Sequence, residues 1–137
     1  MTEDITDIPT IDSGLLARFS IDIPSQKLIL ELTGAVRSGD PGRQNLTAAF
    51  SELVYVRTVS DLAMASENQV DVFEERAESI LLNSIRTHNG WTDLDTDIGG
   101  VTIAAPHQNA PQLRHFFLQS TSLKVEWLCV EATFTVS

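Results

Sequence analysis

The chain has 137 residues, of which 42% are hydrophobic and 20% charged, and its 19 acidic and nine basic side chains give a formal net charge of −10. This length predicts one globular domain. The acidic balance argues against a nucleic-acid-binding surface, which needs clustered lysine and arginine, and against binding to anionic membranes. The single cysteine excludes an intrachain disulfide, and no run approaches the roughly 20 apolar residues of a transmembrane helix.

Residues 1–12 form an acidic segment with four acids, no base and little hydrophobic periodicity. They also lack the basic start of a signal peptide, so export by that route is not expected. Terminal segments of this kind are poorly ordered unless they are tied to the rest of the protein. We therefore predict a flexible acidic arm over residues 1–12, with an arm that orders against a partner as the alternative, and a single domain over residues 13–137.

Two runs of alternating apolar and polar residues follow the arm. A period of two is typical of a strand that buries one face. The break between the runs, at residues 24–26, is short, so they predict an antiparallel hairpin. The side chains predicted to face inward are Leu15, Ala17, Phe19, Ile21 and Ile23 in the first run, and Leu28, Leu30 and Leu32 in the second.

The next segment, Gly34 to Asn45, contains three glycines and a proline and has no periodic apolar face. We predict a long exposed loop that carries Arg37 and Arg43, either flexible or docked on a partner. One helical turn is expected over Leu46–Phe50. β-Branched and aromatic residues then predict a strand over Leu53–Val59, although part of this segment also fits a helical spacing.

A helix is predicted over residues 67–88. Ser66 and Gln69 fit a capping box at its start, and Gly90 lies where a left-handed residue commonly ends a helix. A competing interpretation makes Val70 to Phe73 the end of a strand and shortens the helix. The apolar residues that recur at intervals of three and four are Val70, Phe73, Ala77, Ile80, Leu81 and Ile85.

The rest of the chain favours strands. Residues 101–105 alternate and end at a proline, residues 113–118 fit a strand or a helical turn, and residues 123–136 fit a long strand. Both sides of that strand are apolar near Trp127 and Cys129, so we expect both to be covered, by the helix or by a neighbouring subunit. The side chains predicted to face inward in its second half are Leu128, Val130, Ala132, Phe134 and Val136.

Taken together, these elements predict the α+β class, with a mostly antiparallel sheet and one main amphipathic helix packed on a face. The helix would cover the sheet with the apolar stripe that it presents at three- and four-residue intervals. Nothing in the sequence marks a repeat or a linker that would divide the chain.

The alternate aspartates Asp93, Asp95 and Asp97 are the strongest candidate for a ligand site. Alternate acids in a loop can direct several carboxylates at one hard cation, as in calcium-binding loops. Such a loop needs glycine at its sixth position and glutamate at its twelfth, where this chain has Ile98 and Ala104. We therefore predict a hydrated acidic loop without a metal, and keep a small metal- or ligand-binding domain that uses this loop as the alternative.

The other chemically capable residues do not predict catalysis. His88, His107 and His115 lack the spacing of a metal-binding pair, and Cys129 lies in an apolar strand where a buried, unreactive thiol is expected. We therefore predict no enzyme, no catalytic residue and no cofactor. The aromatic residues that form either core or a subunit interface are Trp91, Phe116, Phe117 and Trp127.

From Leu53 onward the predicted order is strand, amphipathic helix, short strand and long C-terminal strand. In pattern, length and element order, this part of the chain resembles the tail terminator (head–tail joining) proteins of tailed bacteriophages and related viruses. Those proteins usually open with a short helix that leads into the first strand, where this chain has an acidic arm and a hairpin. The segments that carry the resemblance are Leu53 to Val59, Val70 to Ile85, Gly99 to Ala105 and Leu123 to Val136.

The resemblance implies a structural virion protein that forms a ring homo-oligomer, usually a hexamer, which caps the tail tube and joins it to the neck. Its partners would be copies of itself, the tail tube protein and the neck or connector proteins, at the tail–neck junction of a virion assembled in the host cytoplasm. DNA would pass through without specific binding, because acidic side chains that line a channel repel phosphates. Another tail or neck subunit, such as a tail tube protein, is the related alternative.

Overall fold

The computed structural model describes residues 3–11, 14–37, 43–60, 69–76, 100–102, 112–121 and 123–137. Within these ranges the chain forms ten strands in two five-stranded sheets, and no helix is long and apolar enough to cross a membrane. The strands are β1 (Glu3–Ile5), β2 (Leu15–Asp22), β3 (Lys27–Arg37), β4 (Arg43–Ser51), β5 (Tyr55–Ser60), β6 (Val70–Glu75), β7 (Gly100–Thr102), β8 (Arg114–Ser120), β9 (Leu123–Cys129) and β10 (Glu131–Val136).

Both sheets are antiparallel throughout. Sheet A has the strand order β1-β10-β4-β3-β2, and sheet B has the order β6-β8-β9-β5-β7. Buried side chains from both sheets form one hydrophobic cluster between them, so the described chain is a β-sandwich. The predicted α+β class is therefore wrong. The first strand, β1, comes from the predicted acidic arm and pairs with β10.

The segment with the strongest helical pattern contains a strand instead. Val70–Glu75 is β6, which pairs with β8 in sheet B. A bulge between Val70 and Val72 shifts the alternation, so Val70 and Phe73 both join the core although they lie three residues apart. That interval imitates a helical turn, and it is the physical reason why the predicted helix is wrong here. The competing interpretation is confirmed in that Val70 to Phe73 are strand residues, although they begin β6 and do not end it. Residues 77–88 lie outside the described part of the chain.

The helical turn predicted at Leu46–Phe50 is also wrong. These residues belong to β4, in which Leu46, Ala48 and Phe50 are all buried at intervals of two. Their neighbours Thr47 and Ala49 are only half-buried. An interval of two is the repeat of a strand and does not give one face of a helix.

Most of the predicted loop before β4 is strand as well. β3 continues through the first glycine of that segment, and β4 begins before its end, so only residues 38–42 separate the two strands, and they lie outside the described residues. Within the described part of this segment, Gly34 lies at an irregular register between Leu32 and Val36. At this irregularity Gly34 has a φ of 64°, and its N–H donates to the side-chain oxygen of Asn45 at 3.0 Å.

The predicted hairpin is confirmed as β2 and β3, but the inward-facing side of β2 changes along its length. A bulge between Leu16 and Arg18 shifts the alternation by one residue. As a result Leu16, Phe19 and Ile21 pack against the core. The members of the predicted inward set that are exposed are Leu15, Ala17 and Ile23.

The predicted C-terminal strand is divided in two at Val130. β9 lies in sheet B, and β10 lies in sheet A. Leu128 lies between two core residues, Trp127 and Cys129, so it faces the opposite side of sheet B, yet it is as fully buried as they are. The expectation that both sides are covered here is therefore confirmed, whereas the inward orientation predicted for Leu128 is wrong. In β10 the predicted inward set is correct for Ala132, Phe134 and Val136.

Two neighbouring segments pass side by side from one sheet to the other. One joins β9 to β10 at Val130, and the other joins β4 to β5 through residues 52–54. The segments remain hydrogen bonded across the bend, because Val54 N–H donates to the Leu128 carbonyl at 2.9 Å and Val130 N–H donates to the Ser51 carbonyl at 3.3 Å. A bent pair of strands of this kind ties two sheets into one unit.

Strands β2 and β6, at the ends of the two sheet orders, also meet. Val70 N–H donates to the Gly14 carbonyl at 2.9 Å, and Leu15 forms an isolated bridge with Gln69. Gly14 has a φ of 116°, and a Cβ atom there would lie 2.9 Å from both Cα and Cβ of Ala35. Only glycine meets both requirements without strain.

Aromatic packing fills the space between the sheets. The ring of Phe50 in sheet A lies 4.8 Å from the ring of Phe116 and 4.9 Å from that of Trp127, both in sheet B. The ring of Phe134, also in sheet A, lies 5.8 Å from that of Phe50. All four side chains are completely buried, so Phe50 contacts aromatic partners from both sheets.

We expect Phe50→Ala to lower the free energy of unfolding by about 3–5 kcal/mol, because it removes these ring contacts and leaves a cavity. The measurement is urea unfolding followed by circular dichroism. Thr133→Ala, at an exposed position of β10, is the matched control and should change the free energy by no more than about 0.5 kcal/mol. A Phe50→Ala protein as stable as this control would contradict the assigned core.

Gly14→Ala should lower the free energy of unfolding by about 1–3 kcal/mol, the range for a strained backbone position. The added methyl group would meet Ala35, and the backbone bond to Val70 would be weakened. Thermal and urea unfolding would measure the loss. Gln69→Ala is the control, because the exposed Gln69 side chain can be removed without changing the backbone bridge.

Candidate functional site

The candidate site lies on the face of sheet B that points away from the core. Side chains alternate between the two faces of a strand, so the residues next to the core positions of sheet B point outward. The strand register then places four of these residues side by side, one from each of four adjacent strands. They are Arg57 of β5, Glu126 of β9, Phe117 of β8 and Glu74 of β6.

Phe117 forms the floor of the site. It is only 5% exposed, and two cations cover its ring. The guanidinium carbon of Arg76 lies 4.1 Å from the ring centroid, and Nζ of Lys124 lies 5.7 Å from it. Cation–π attraction favours both positions. Arg76 is further held by Glu74, whose Oε1 lies 3.2 Å from its Nε.

A shallow cavity of about 210 Å³, which we call the cationic depression, lies next to these side chains. It is lined by Arg57, Arg76, Lys124, Val125 and Glu126. Three of the nine lysine and arginine residues in the chain therefore lie around one cavity, although the whole protein carries a net charge of −10. The cationic depression is thus a local positive surface on an acidic molecule.

Two of the three cations are not neutralised by the part of the chain that the structure describes. Arg57 lies opposite Glu126 in the strand register, but neither Arg57 nor Lys124 forms an ion pair with a described carboxylate. Arginine presents several donors in a planar fork that matches a carboxylate. The arrangement can therefore bind an anionic group, with Phe117 below the cations as an apolar floor.

His115 lies beside this site, but its side chain is neutral near pH 7. Its side chain is buried, and its Nε2 atom lies 3.8 Å from Oε1 of Glu126. Burial, with a further contribution from the charge of Arg76, lowers the pKa of His115 to about 4. These effects outweigh the nearby carboxylate, so the imidazole is neutral and is poorly suited to exchange protons with a substrate at pH 7.

Cys129 is also unsuited to reaction. Its side chain is completely buried in the core, and burial raises the pKa of the thiol far above its ordinary value. Because the thiolate is the nucleophilic form, this cysteine is inert, as the sequence predicted.

The arginine of β8, Arg114, has a structural role, unlike the cations of the cationic depression. Arg114 donates from Nε and Nη2 to the two carboxylate oxygens of Glu75 at 2.9 and 2.7 Å, and its guanidinium lies 5.0 Å from the ring centroid of Phe116. The hydrogen bonds with Glu75 raise the pKa of Arg114 above its ordinary value. This cation is fully matched within the fold and links β6 to β8, so it is not available to a partner.

The structure separates the aromatic residues that the sequence grouped as one candidate patch. Phe116 and Trp127 lie in the core, and Phe117 lies on the opposite face of sheet B. Within the described residues, no three histidine, cysteine, aspartate or glutamate side chains come together as a cation-binding group. The remaining sequence-derived candidates lie outside those residues; they are Trp91, His88, His107 and the loop of Asp93, Asp95 and Asp97.

Nothing in the linear sequence singles out Arg57, Arg76 or Lys124, which are far apart in the chain. The available signal is alternation, since Arg57 and Lys124 are the immediate neighbours of the core residues Val56 and Val125. Alternation shows that they point away from the core, but only the pairing of β5 with β9 and of β9 with β8 brings them to one place.

Comparison of the chain with protein-family models, with curated proteins and with solved structures returns no match.

The lowered pKa of His115 predicts a pH-dependent stability. Between pH 6.5 and about 4 the unfolded chain takes up a proton on this residue while the native protein does not, so stability is complete above pH 6.5 and falls as the pH falls through this window. The contribution approaches about 1.4 kcal/mol per pH unit. Urea unfolding of the wild type and of His115→Gln at pH 7 and pH 5 would measure it. Parallel pH dependences would contradict a buried, neutral His115.

Proposed function

We propose that the chain is a non-enzymatic structural subunit of a viral tail or neck, of the tail terminator kind, which docks on an acidic segment of a neighbouring protein through the cationic depression. The observation that carries the docking role is the convergence of three cations on one face of a strongly acidic protein. The virion setting rests on the resemblance in element order, in which β5, β7, β9 and β10 supply strands and β6 takes the place of part of the helix.

The charges favour an acidic protein segment as the partner. Arg57 and Lys124 are available to carboxylates, and Arg76 is held over Phe117 by both the ring and Glu74. The Glu126 carboxylate on the rim opposes a ligand that is anionic over its whole length. A peptide fits better, because its carboxylates alternate with neutral groups that can lie against the rim beside Glu126.

The chemistry of the neighbouring residues supports binding instead of turnover. His115 is buried and has a pKa near 4, so it is neutral at physiological pH. The Cys129 thiol is buried on the other side of the sheet. The cations around the depression can hold and orient an anion, but they supply no base or nucleophile that is active near neutral pH.

The ring proposed for this protein would bring such acidic segments to the site. In a ring each copy presents one surface to the next copy and a different surface to the previous one. A chain with a net charge of −10 that carries one positive depression is suited to such a contact, and the same depression would fit the acidic surface of a tail tube or neck protein. Genes for capsid, portal and tail proteins beside the gene for this chain would support the virion setting, and a metabolic operon would contradict it.

Binding of a fluorescein-labelled peptide of alternating glutamate and glycine, followed by fluorescence anisotropy at low salt, tests the docking role. We expect Arg57→Glu and Lys124→Glu each to weaken binding by about tenfold, equivalent to about 1.4 kcal/mol. Binding should also weaken as the salt concentration rises, because exposed charges are screened. A peptide with glutamine in place of glutamate should not bind.

Lys27→Glu is the matched control for this experiment. It makes the same change in net charge at an exposed position of sheet A that does not line the cationic depression. It should leave the affinity within about twofold of the wild type, since repulsion from an exposed charge outside the binding site is largely screened. An equal loss in Lys27→Glu and Lys124→Glu would show that net charge alone governs binding, and would overturn the proposed site.

A further inference from the structure

Strand β2 presents an open edge in sheet A. Among the described residues it pairs along its length with β3 only, apart from the single bridge at Leu15. The bulge between Leu16 and Arg18 interrupts its first half, which leaves five regularly paired residues, Arg18 to Asp22. An open edge of regular strand has unpaired backbone donors and acceptors and can accept another strand.

We propose that β2 pairs with β2 of a second copy of this chain, antiparallel and about a two-fold axis at Ser20, so that the two A sheets form one continuous ten-stranded sheet. The occupant is a second copy because the edge is complementary to itself. In this register Ser20 faces Ser20, which is the middle of the five regular residues. The partners on either side are Arg18 with Asp22, and Phe19 with Ile21.

The charges select this register. Placing Ser20 opposite itself brings each Arg18 opposite an Asp22, which gives two favourable cross-strand pairs per dimer. An axis at Phe19 would place Asp22 opposite Leu16, and an axis at Ile21 would place Arg18 opposite Pro24. Neither alternative joins opposite charges. Registers with the axis between two residues would set core-facing side chains against outward-facing ones, which a continuous sheet does not allow.

Arg18 is available for this contact. Its intrachain partner is Glu31, at 3.9 Å, and both side chains are largely exposed, at 54% and 41%. A pair of that length and exposure holds the arginine weakly. Asp22 accepts a hydrogen bond from the Ser25 hydroxyl at 2.7 Å, which leaves its other carboxylate oxygen for a guanidinium across the axis.

The apolar side chains of the edge favour the same arrangement. Phe19 and Ile21 pack against the core but remain half-buried, because no described strand covers their open side. In the proposed register Ile21 of the second copy would cover Phe19, and Phe19 of the second copy would cover Ile21. Covering these groups removes apolar surface from water.

Disulfide trapping tests the pairing. Ser20→Cys would place two thiols opposite each other at the two-fold axis, within the distance that a disulfide requires. The native Cys129 is completely buried and does not compete. We expect rapid formation of a covalent dimer under mild oxidation at high protein concentration, at least fivefold faster than for Thr133→Cys, an exposed control on β10 of the same sheet. Equal rates for the two variants would overturn the proposal.

A charge exchange tests the register independently. In the Ser20→Cys background, Arg18→Asp alone and Asp22→Arg alone set like charges across the axis and should slow disulfide formation at least fivefold. The two changes together restore opposite charges and should restore the rate, with circular dichroism used to verify that each variant is folded. A double variant as slow as the single ones would overturn the Ser20 register.

This pairing does not depend on the docking role proposed for sheet B. Because it is two-fold, it would join copies from two different rings and not neighbours within one ring. Lys124→Glu should weaken peptide binding by about tenfold without changing the disulfide rate of Ser20→Cys, and Arg18→Asp should slow disulfide formation without changing peptide binding. The two proposals would therefore fail with different experimental results.

Discussion

The fold depends on the aromatic contact between the two sheets. Phe50 of sheet A lies within 5 Å, centroid to centroid, of two rings of sheet B, Phe116 and Trp127. Large side chains of this kind remove much apolar surface from water and add a favourable ring geometry. The bent strand pair at Val130 keeps the sheets aligned so that these rings can meet. Without that contact, the inner faces of both sheets would lose their aromatic packing.

Because the core holds one face of each sheet, the exposed parts of the opposite faces and of the sheet edges remain for interactions with other molecules. On sheet B the outward positions bring Arg57, Lys124 and Glu126 around one depression, and Lys124 also lies over the ring of Phe117. On sheet A the edge strand β2 exposes Arg18 and Asp22 along one margin. The depression on sheet B would bind through opposite charges, and the edge of sheet A would bind through backbone hydrogen bonds. A chain with both surfaces can contact two kinds of neighbour at once.

Two of the errors in predicting the fold have a common cause. The alternation correctly predicts the inward faces of Leu28 to Leu32 in β3 and of β10, where the interval of two is strict. It does not predict those of strand segments with a bulge, because one extra residue makes the interval between buried side chains resemble a helical turn, as at Val70 and Phe73 in β6. The same effect reversed the face of Leu15 in β2. Glycine-rich composition predicted a loop where Gly34 instead accommodates a register irregularity.

The sequence by itself determined the alternation of most strands, the burial of Cys129 and the acidic character of the whole molecule, because these depend on residues close together in the chain or on composition. Tertiary structure alone decided the strand order, the division of the C-terminal segment between two sheets, and the cationic depression. Arg57, Arg76 and Lys124 become neighbours only through antiparallel pairing between distant segments. No local pattern encodes such pairing, since it is selected by how all the apolar faces can be buried together.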